Sequence, residues 1–294
     1  MCGRVPDSFC ETYTVPIPKS SDSVNMLRSA ADFRGIVISN LFSKLFESCL
    51  LDIFGSWFFT EENQFGFKKG VGCSHAIYCA NYFASKLSDG GDTVNILALD
   101  IAKAFPSVNR HALLIKLIKR NCPVSFIDLI GEWLARSQSC VKWAGSFSDK
   151  YFLRTGVNQG SVLAPILFAL VIDDLIRVCN DTDWGIILVY ADDILILTKT
   201  RRNLQDLFGL VQLELDWLNL RLNLDKCCSM RVGPRHGVMC EPIYSLNGTP
   251  VPMVKELKYL GVYIVAGFRM RCSVEYAKRA FLRQLMQYLV MFFM

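Results

Sequence analysis

Histidine is scarce in this chain, with three scattered among 294 residues, and its twelve cysteines never fall into a Cys-x-x-Cys spacing. A zinc finger or knuckle needs those ligands at fixed short intervals, so both are excluded. The only close cysteine pair is Cys227-Cys228. The thiols read as small core residues in a reducing compartment rather than a disulfide framework. Long apolar runs are lacking as well: residues 162–172 come nearest, but the run is short and contains Pro165. The N-terminus has no signal-peptide layout, and no repeat or low-complexity linker breaks the chain. These absences point to a soluble intracellular protein with no membrane partner. Its length allows one large domain or two modest ones. The chain starts abruptly and stops in an apolar stub without a helix stop signal, which reads as a piece of a longer polyprotein or a truncated copy.

There is no acidic excess either. The formal charge is +5, and residues 255–294 hold seven Lys/Arg against Glu256 and Glu275, so that segment carries the whole surplus. A basic segment suits a nucleic-acid backbone, although a solvated helix face has the same composition.

What the chain does have is Tyr190-Ala191-Asp192-Asp193, two adjacent carboxylates inside the apolar stretch 185–197. The flanks have strand length, so the pair sits where two core strands meet at a tight turn. Neighbouring carboxylates repel and are costly to desolvate, and a divalent cation removes both problems. An Asp-rich turn with both side chains in water is the other reading. A second apolar strand, Val94-Asn95-Ile96-Leu97-Ala98-Leu99, ends in Asp100 and runs on to Phe105. Two such strands can bring three carboxylates to one point, the oxygen donor set for two Mg²⁺ ions between protein and substrate phosphates. Between them lies Gly156-Val157-Asn158-Gln159-Gly160-Ser161, a glycine-punctuated turn opening an apolar helix.

Asp100, the Gln159-Gly160 turn and Asp192-Asp193, in that order, resemble the palm of the reverse transcriptases, most closely those of non-LTR (LINE-type) retrotransposons. The resemblance runs from about residue 15 to about residue 264. It implies an α+β right-hand polymerase fold with an antiparallel palm sheet packed on helices. Fingers would take residues 1–95 with a further insertion near 121–155, palm 96–265, and the start of a thumb 266–294. It implies RNA-directed DNA synthesis from deoxynucleoside triphosphates, on an RNA template and a DNA primer. The parent polyprotein would also carry endonuclease and C-terminal domains and work in the nucleus.

Carried over residue by residue, Asp100, Asp192 and Asp193, with the Ile101 carbonyl, would hold two Mg²⁺ ions (or Mn²⁺), and Lys226 would protonate the leaving pyrophosphate. Lys19 and Arg34 match positions that grip the triphosphate. Gln159 and Gly160 match those that meet the nucleotide, and Phe105 the aromatic that blocks a 2′-hydroxyl. Tyr190, Lys68, Lys69 and the primer-grip-like Lys258, Tyr259, Leu260 and Gly261 would contact nucleic acid. So would the basic residues Arg269, Arg271, Lys278 and Arg279. Three positions depart from the pattern: Gly35 stands for a usual proline, Pro106 where relatives often carry Asp, and Val71-Gly72-Cys73 for a more polar run. A decayed or domesticated RNA-binding copy, an RNA-copying RNA polymerase and a maturase-like splicing cofactor are the competing readings. Phe105 argues against the second, because ribonucleotides need space for the 2′-hydroxyl. The third would need a further RNA-binding domain.

Local patterns predict a turn-rich basic stretch from residue 11, then a helix within 39–59. Helices follow at 109–120, with Lys116, Lys119 and Arg120 on a basic outer face, and at 125–136. A hairpin around Gly145-Ser146 comes next, then one helix over 161–180 with Pro165 in its first turn, and a long helix over 201–220. A strand near 228–232, a hairpin reaching residue 264 and a basic helix from Val274 complete the chain, with helices on one face of the sheet.

Overall fold

The structure, a computed structural model, describes residues 3–19, 29–276, 278–279, 281–282 and 285–286. In chain order the elements begin with α1 (Asp7–Cys10), β1 (Glu11–Pro18), β2 (Phe33–Ser39), α2 (Leu41–Phe54), α3 (Cys73–Asp89) and β3 (Val94–Ala102). There follow α4 (Ala104–Ser107), α5 (Arg110–Lys119), α6 (Val124–Arg136), β4 (Gln138–Trp143), β5 (Ser146–Phe147), β6 (Tyr151–Phe152) and α7 (Ala164–Ile172). Then come α8 (Asp174–Asn180), β7 (Gly185–Tyr190), β8 (Asp193–Thr198), α9 (Arg201–Trp217), β9 (Arg221–Leu222) and β10 (Cys228–Val232). Short strands close the chain: β11 (Ile243–Tyr244), β12 (Pro250–Val251), β13 (Glu256–Tyr259), β14 (Val262–Val265) and β15 (Arg271–Ser273). They form two compact units of interleaved segments: 1–60, 103–172 and 218–220 in the first, 61–102, 173–217 and 221–294 in the second.

The first unit holds a sheet of order β2-β1-β4-β5, with β6 beside β4. The stretch expected to be turn-rich is instead an antiparallel pair, Thr12 to Pro18 against Phe33 to Ser39. The β-branched and aromatic residues of Thr12-Tyr13-Thr14-Val15 favour a strand, and Pro16 and Pro18 do not abolish it. Helix α5 begins where expected, with the Asn109 side chain accepting from His111 and Ala112 amides. Its basic outer face is a correction: Lys116 and Arg120 are buried and only Lys119 is exposed. Arg120 donates to the Phe59 carbonyl at 2.5 Å, so its charge faces a carbonyl, not solvent. The single helix expected over 161–180 is two helices, α7 and α8, separated at the fully buried Asp173. Helix α7 is apolar all round, with Leu167, Phe168, Leu170, Val171 and Ile172 buried. Each such side chain stabilises by about 1.5–3 kcal/mol.

The second unit is built on the antiparallel sheet β10-β3-β8-β7, with β9 beside the end of β3. Its central strands are buried throughout, Ile96, Leu97, Leu188, Val189, Leu195 and Ile196 all at 1% exposure or less. One face packs on Ala76, Ala80 and Ala84 of α3 and on Leu257, Tyr259 and Ile264 of β13–β14. The three alanines, at i, i+4 and i+8, let α3 lie close to the strands. Helices α8 and α9 pack on β7 and β8 from the other side, so helices cover both faces and not one. Among the described residues the cysteines are free thiols, several of them buried; burial pushes Cys179 up to about 12. No helix among those residues is long and apolar enough to cross a membrane. The basic helix expected from Val274 falls partly outside the described residues; the Lys278 amide donates to the Val274 carbonyl at 3.0 Å, one helical turn.

Candidate nucleotidyl-transfer site

In the second unit, strand register does most of the placing. Strands β7 and β8 are joined by the two-residue loop Ala191-Asp192, closed by the Tyr190–Asp193 pair. On β8's other side, Asp193 stands directly opposite Asp100 of β3. Directly opposed residues share a face, with Cβ atoms roughly 4.5–5.5 Å apart. By the period of two, Ile96, Ala98 and Asp100 form one line, so the carboxylates continue an apolar stripe to the sheet's end. Asp192 is tied in through its carbonyl, which accepts from the Ile101 amide at 3.4 Å, while the Asp100 carbonyl accepts from the Asn223 amide at 2.8 Å.

The loop needs Ala191 at φ +54°, a left-handed conformation that costs an alanine about 1–2 kcal/mol. A strut underneath holds it there. Phe65 N donates to the Val189 carbonyl at 2.8 Å, and Val189 N to the Asn63 carbonyl at 2.9 Å. Gly66 then passes so close that a Cβ would lie 2.6 Å from the Ala191 nitrogen. Gln64 is fully buried; its side-chain oxygen accepts from Gly66 N at 2.9 Å, and its amide nitrogen has no hydrogen-bond partner.

Burial, then Asp192 and Asp100, push Asp193 up to about 6, against the pull of Lys226 and Lys258. Asp192 is raised by burial and by Asp100, opposed by its own amide and by Lys226. The Lys226 ammonium lies 3.0 and 3.2 Å from the two oxygens of Asp100. This corner is therefore short of positive charge, and its donors are hard carboxylate oxygens, a set that fits a divalent cation such as Mg²⁺. Among the described residues, no three His, Cys, Asp or Glu side chains are gathered closely enough to hold a metal as they stand. The cation resting on Asp100 is Lys226.

Other expected residues of this unit are placed as follows. Tyr190 ends β7, and the neighbouring Cys73 thiol, then burial, raises its pKa. Lys68 donates to the Glu61 carbonyl at 2.5 Å, and its pKa is lowered, chiefly by burial; Lys69 is exposed. Lys258, exposed, precedes the turn Leu260-Gly261, both at positive φ as a tight two-residue hairpin requires. Tyr259 is 3% exposed and packed in the core, with its hydroxyl unpartnered and burial raising its pKa. Arg269 pairs with Asp89 at 2.9 Å and Lys278 with Glu275 at 3.1 Å, while Arg271 and Arg279 are exposed.

In the first unit, the turn over 156–163 is placed by neighbours. Gly156 has φ +79°, and a Cβ there would lie 2.5 Å from the Pro106 carbonyl oxygen. Arg110 donates to the carbonyls of Gly156 at 2.9 Å and of Leu134 and Leu153 at 2.5 Å. A Cβ on Gly160 would lie 2.2 Å from the Val37 carbonyl oxygen, and the Ser39 hydroxyl donates to the Gly160 carbonyl at 3.2 Å. Gln159 is left exposed. The Phe105 carbonyl accepts from Val157 N at 2.9 Å, and its half-buried ring stacks on Phe168 with centroids 4.9 Å apart. Lys19 and Arg34 are exposed on the β1–β2 pair, where Arg34 faces Ile17.

Glu47 and Arg110 were missed by sequence reasoning. Glu47 has a readable signal: a carboxylate in the buried phase of α2, with Ser43, Leu50 and Phe54. Nothing local in the sequence marks Arg110, whose partners lie 24 to 46 positions away.

Residues 17–264 match the reverse transcriptase (RNA-dependent DNA polymerase) family. The chain is 26% identical over 286 residues to the Retrovirus-related Pol polyprotein from type-2 retrotransposable element R2DM of Drosophila melanogaster, covering 92% of the chain and 27% of that protein. It is 30% identical over 210 residues to the RNA-directed DNA polymerase from mobile element jockey of the same species, covering 68% of the chain and 22% of that protein. The chain thus spans about a quarter of the length of these relatives. In fold it is similar to apo telomerase from Candida tropicalis truncated from its C-terminal domain, with TM-score 0.62 at 13% identity over 92% of the chain and 56% of that one. The α+β polymerase fold expected from the ordered motifs is borne out by these likenesses, and the chain belongs to the reverse transcriptase family, among the enzymes of non-LTR retrotransposons.

Proposed function

We propose that this chain is the polymerising domain of a retrotransposon polyprotein, adding deoxynucleotides to a primer 3′-hydroxyl on an RNA template. The observation that carries the reading is the register that sets Asp100 opposite Asp193 with Asp192 in the adjoining loop. The raised pKa values of Asp192 and Asp193 support it, since they mark a site where added positive charge is favourable. Asp100, Asp192 and Asp193, with the Ile101 carbonyl, would hold two Mg²⁺ ions, whose chemistry when bound is to acidify the primer hydroxyl and neutralise the pyrophosphate. Mn²⁺ would serve in their place.

The chain's own groups do the rest. Lys226, held at Asp100, delivers a proton to the departing pyrophosphate. Lys19 and Arg34 grip the triphosphate through charge-assisted hydrogen bonds. Gln159 offers its amide to sugar or base, and Gly160 brings bare backbone to the nucleotide. Phe105 excludes a 2′-hydroxyl by bulk. Tyr190, Lys68, Lys69, the 258–261 hairpin, Arg269, Arg271, Lys278 and Arg279 serve template and primer, with Tyr259 acting from inside the core. In this reading residues 1–95 and 121–155 serve as fingers, 96–265 as palm and 266–294 as the beginning of a thumb. Endonuclease and C-terminal domains belong to the parent polyprotein, which works in the nucleus.

The test is extension of a DNA primer on an RNA template by the purified chain, with and without Mg²⁺. Metal-dependent incorporation of deoxynucleotides is the expected result. Tight template-primer binding without incorporation in Mg²⁺ or Mn²⁺ would instead make the chain an RNA-binding module.

A further inference from the structure

We infer that Glu47 is a positioning residue for the turn that meets the incoming nucleotide; this rests on the reading of Gln159 and Gly160 given above. Glu47 sits in α2 with only 2% of its surface exposed. One of its oxygens, Oε2, accepts from the Ser161 hydroxyl at 2.5 Å and from the Leu163 amide at 2.8 Å. Ser161 in turn accepts from the Ala164 amide at 3.1 Å, the first residue of α7. The serine proton is thereby directed at the carboxylate while its lone pair caps the helix, and the charge lies at the positive end of the α7 dipole.

Capping α7 does not require a buried carboxylate. Ser161 alone satisfies one first-turn amide, and a leucine at position 47 would suit the buried face of α2 better. What the carboxylate adds is a fixed point directly beside Gln159 and Gly160. The Ser39 hydroxyl on the Gly160 carbonyl and the Val37 carbonyl, in the space a Cβ on Gly160 would take, are the other two, both from β2. A cavity of about 40 Å³, bordered by Ser39, Ser43, Glu47, Asn158 and Ser161, lies alongside. It gives the turn room to shift once the carboxylate's bonds are gone. Removing them therefore moves the nucleotide-facing backbone.

The experiment is single-nucleotide extension at varied deoxynucleotide concentration for the wild-type chain and for Glu47→Ala, Glu47→Gln, Ser161→Ala and Gln159→Ala. Template-primer affinity and thermal melting are followed alongside. Glu47→Ala is expected to lower kcat/KM for the deoxynucleotide by between about tenfold and 10²-fold, the scale of a misplacement near 1 Å, with a raised KM contributing and template-primer affinity nearly unchanged. Ser161→Ala should move KM the same way. Glu47→Gln, which keeps an accepting oxygen, should recover most of the loss. An unchanged KM in Ser161→Ala and Glu47→Ala, or kcat falling with melting temperature while KM holds, would overturn the assignment, and Ser161→Ala carries the test if Glu47→Ala does not fold. Gln159→Ala separates the two claims. If it leaves KM unchanged, the nucleotide reading of the turn fails; if it raises KM while Glu47→Ala and Ser161→Ala do not, only the role of Glu47 fails.

Discussion

At the end of β7 the chain reverses over Ala191 and Asp192, and the carboxylates are placed by strand pairing: Tyr190 opposite Asp193, and Asp193 opposite Asp100. The turn over 156–163 has no ladder of its own. It is held by Arg110, the Pro106 and Val37 carbonyls, Ser39 and Glu47, contributed by α5, α4, β2 and α2. The first arrangement inherits its precision mainly from backbone bonds, with Gly66 beneath Ala191 as the position where a Cβ would intrude. The second depends on particular side chains and on the absence of a Cβ at two glycines. A charged turn in the first should therefore tolerate loss of its charge, whereas the second should respond in shape to small intrusions.

The largest effect should separate chemistry from architecture at the hairpin. Asp100→Asn or Asp192→Asn should lower primer extension by at least about 10²–10³-fold, the scale for removing a preorganised electrostatic group. The fold should remain, with melting temperature equal to or above wild type, because an amide removes mutual repulsion and keeps shape. Near-normal extension in Mg²⁺ by either variant would show that these carboxylates are only a turn.

At the other turn the prediction is the reverse, architecture before charge. Gly160→Ala would set a Cβ 2.2 Å from backbone oxygen, and should cost about 1–3 kcal/mol in denaturant melts. Gly261→Ala, in a hairpin with nothing within 4 Å of a Cβ but with φ +87°, should cost no more than about 1–2 kcal/mol. Equal costs at the two positions would erase the distinction between clamped and register-built turns.

Phe105 hangs on the clamped turn through its carbonyl. Phe105→Val should raise kcat/KM for ribonucleotides by up to about 10²-fold, the range for a purely steric pocket, while deoxynucleotide use changes little. Matched single-nucleotide extensions test this. The same discrimination in both proteins would return the ring to simple packing on Phe168.

The smallest effect is a pH dependence of stability. Asp193 is held near 6, above its unfolded value of about 3.9. Between those values the folded chain binds more protons than the unfolded one, so this group's contribution weakens as pH rises from about 4 to about 6. Asp193→Asn should therefore melt above wild type at pH 7 and lose that advantage below pH 4. Added Mg²⁺ should stabilise wild type at pH 7 more than the variant. A difference that does not vary with pH would mean that Asp193 is not strained by its neighbours.

Much of this was legible in one dimension. The apolar runs 94–99 and 185–197 with their embedded carboxylates read directly as paired strands and a turn, because apolar segments of strand length and a turn-forming Asp pair are local signals. Helix α2, the Asn109 start of α5 and the 145–146 hairpin were readable for the same reason, since caps and turn residues act on their own backbone. Expectations failed where distant residues decided. Residues 12–18 and 33–39 became strands because each supplies the other's partners. Lys116 and Arg120 went inside, Arg120 because the Phe59 carbonyl 61 positions away receives its guanidinium. The helix over 161–180 broke at Asp173, where the Glu61 amide donates to its carboxylate at 2.8 Å. The residue types and order of the motifs, set locally by hydrophobic period and turn chemistry, determined the family and the carboxylate corner. Only the folded chain decided that Glu47 and Arg110 hold the glycine turn, that Gly66 passes beneath Ala191 and that Tyr259 lies in the core. Those are contacts between segments far apart in sequence, and no local spacing encodes which carbonyl a distant side chain will meet.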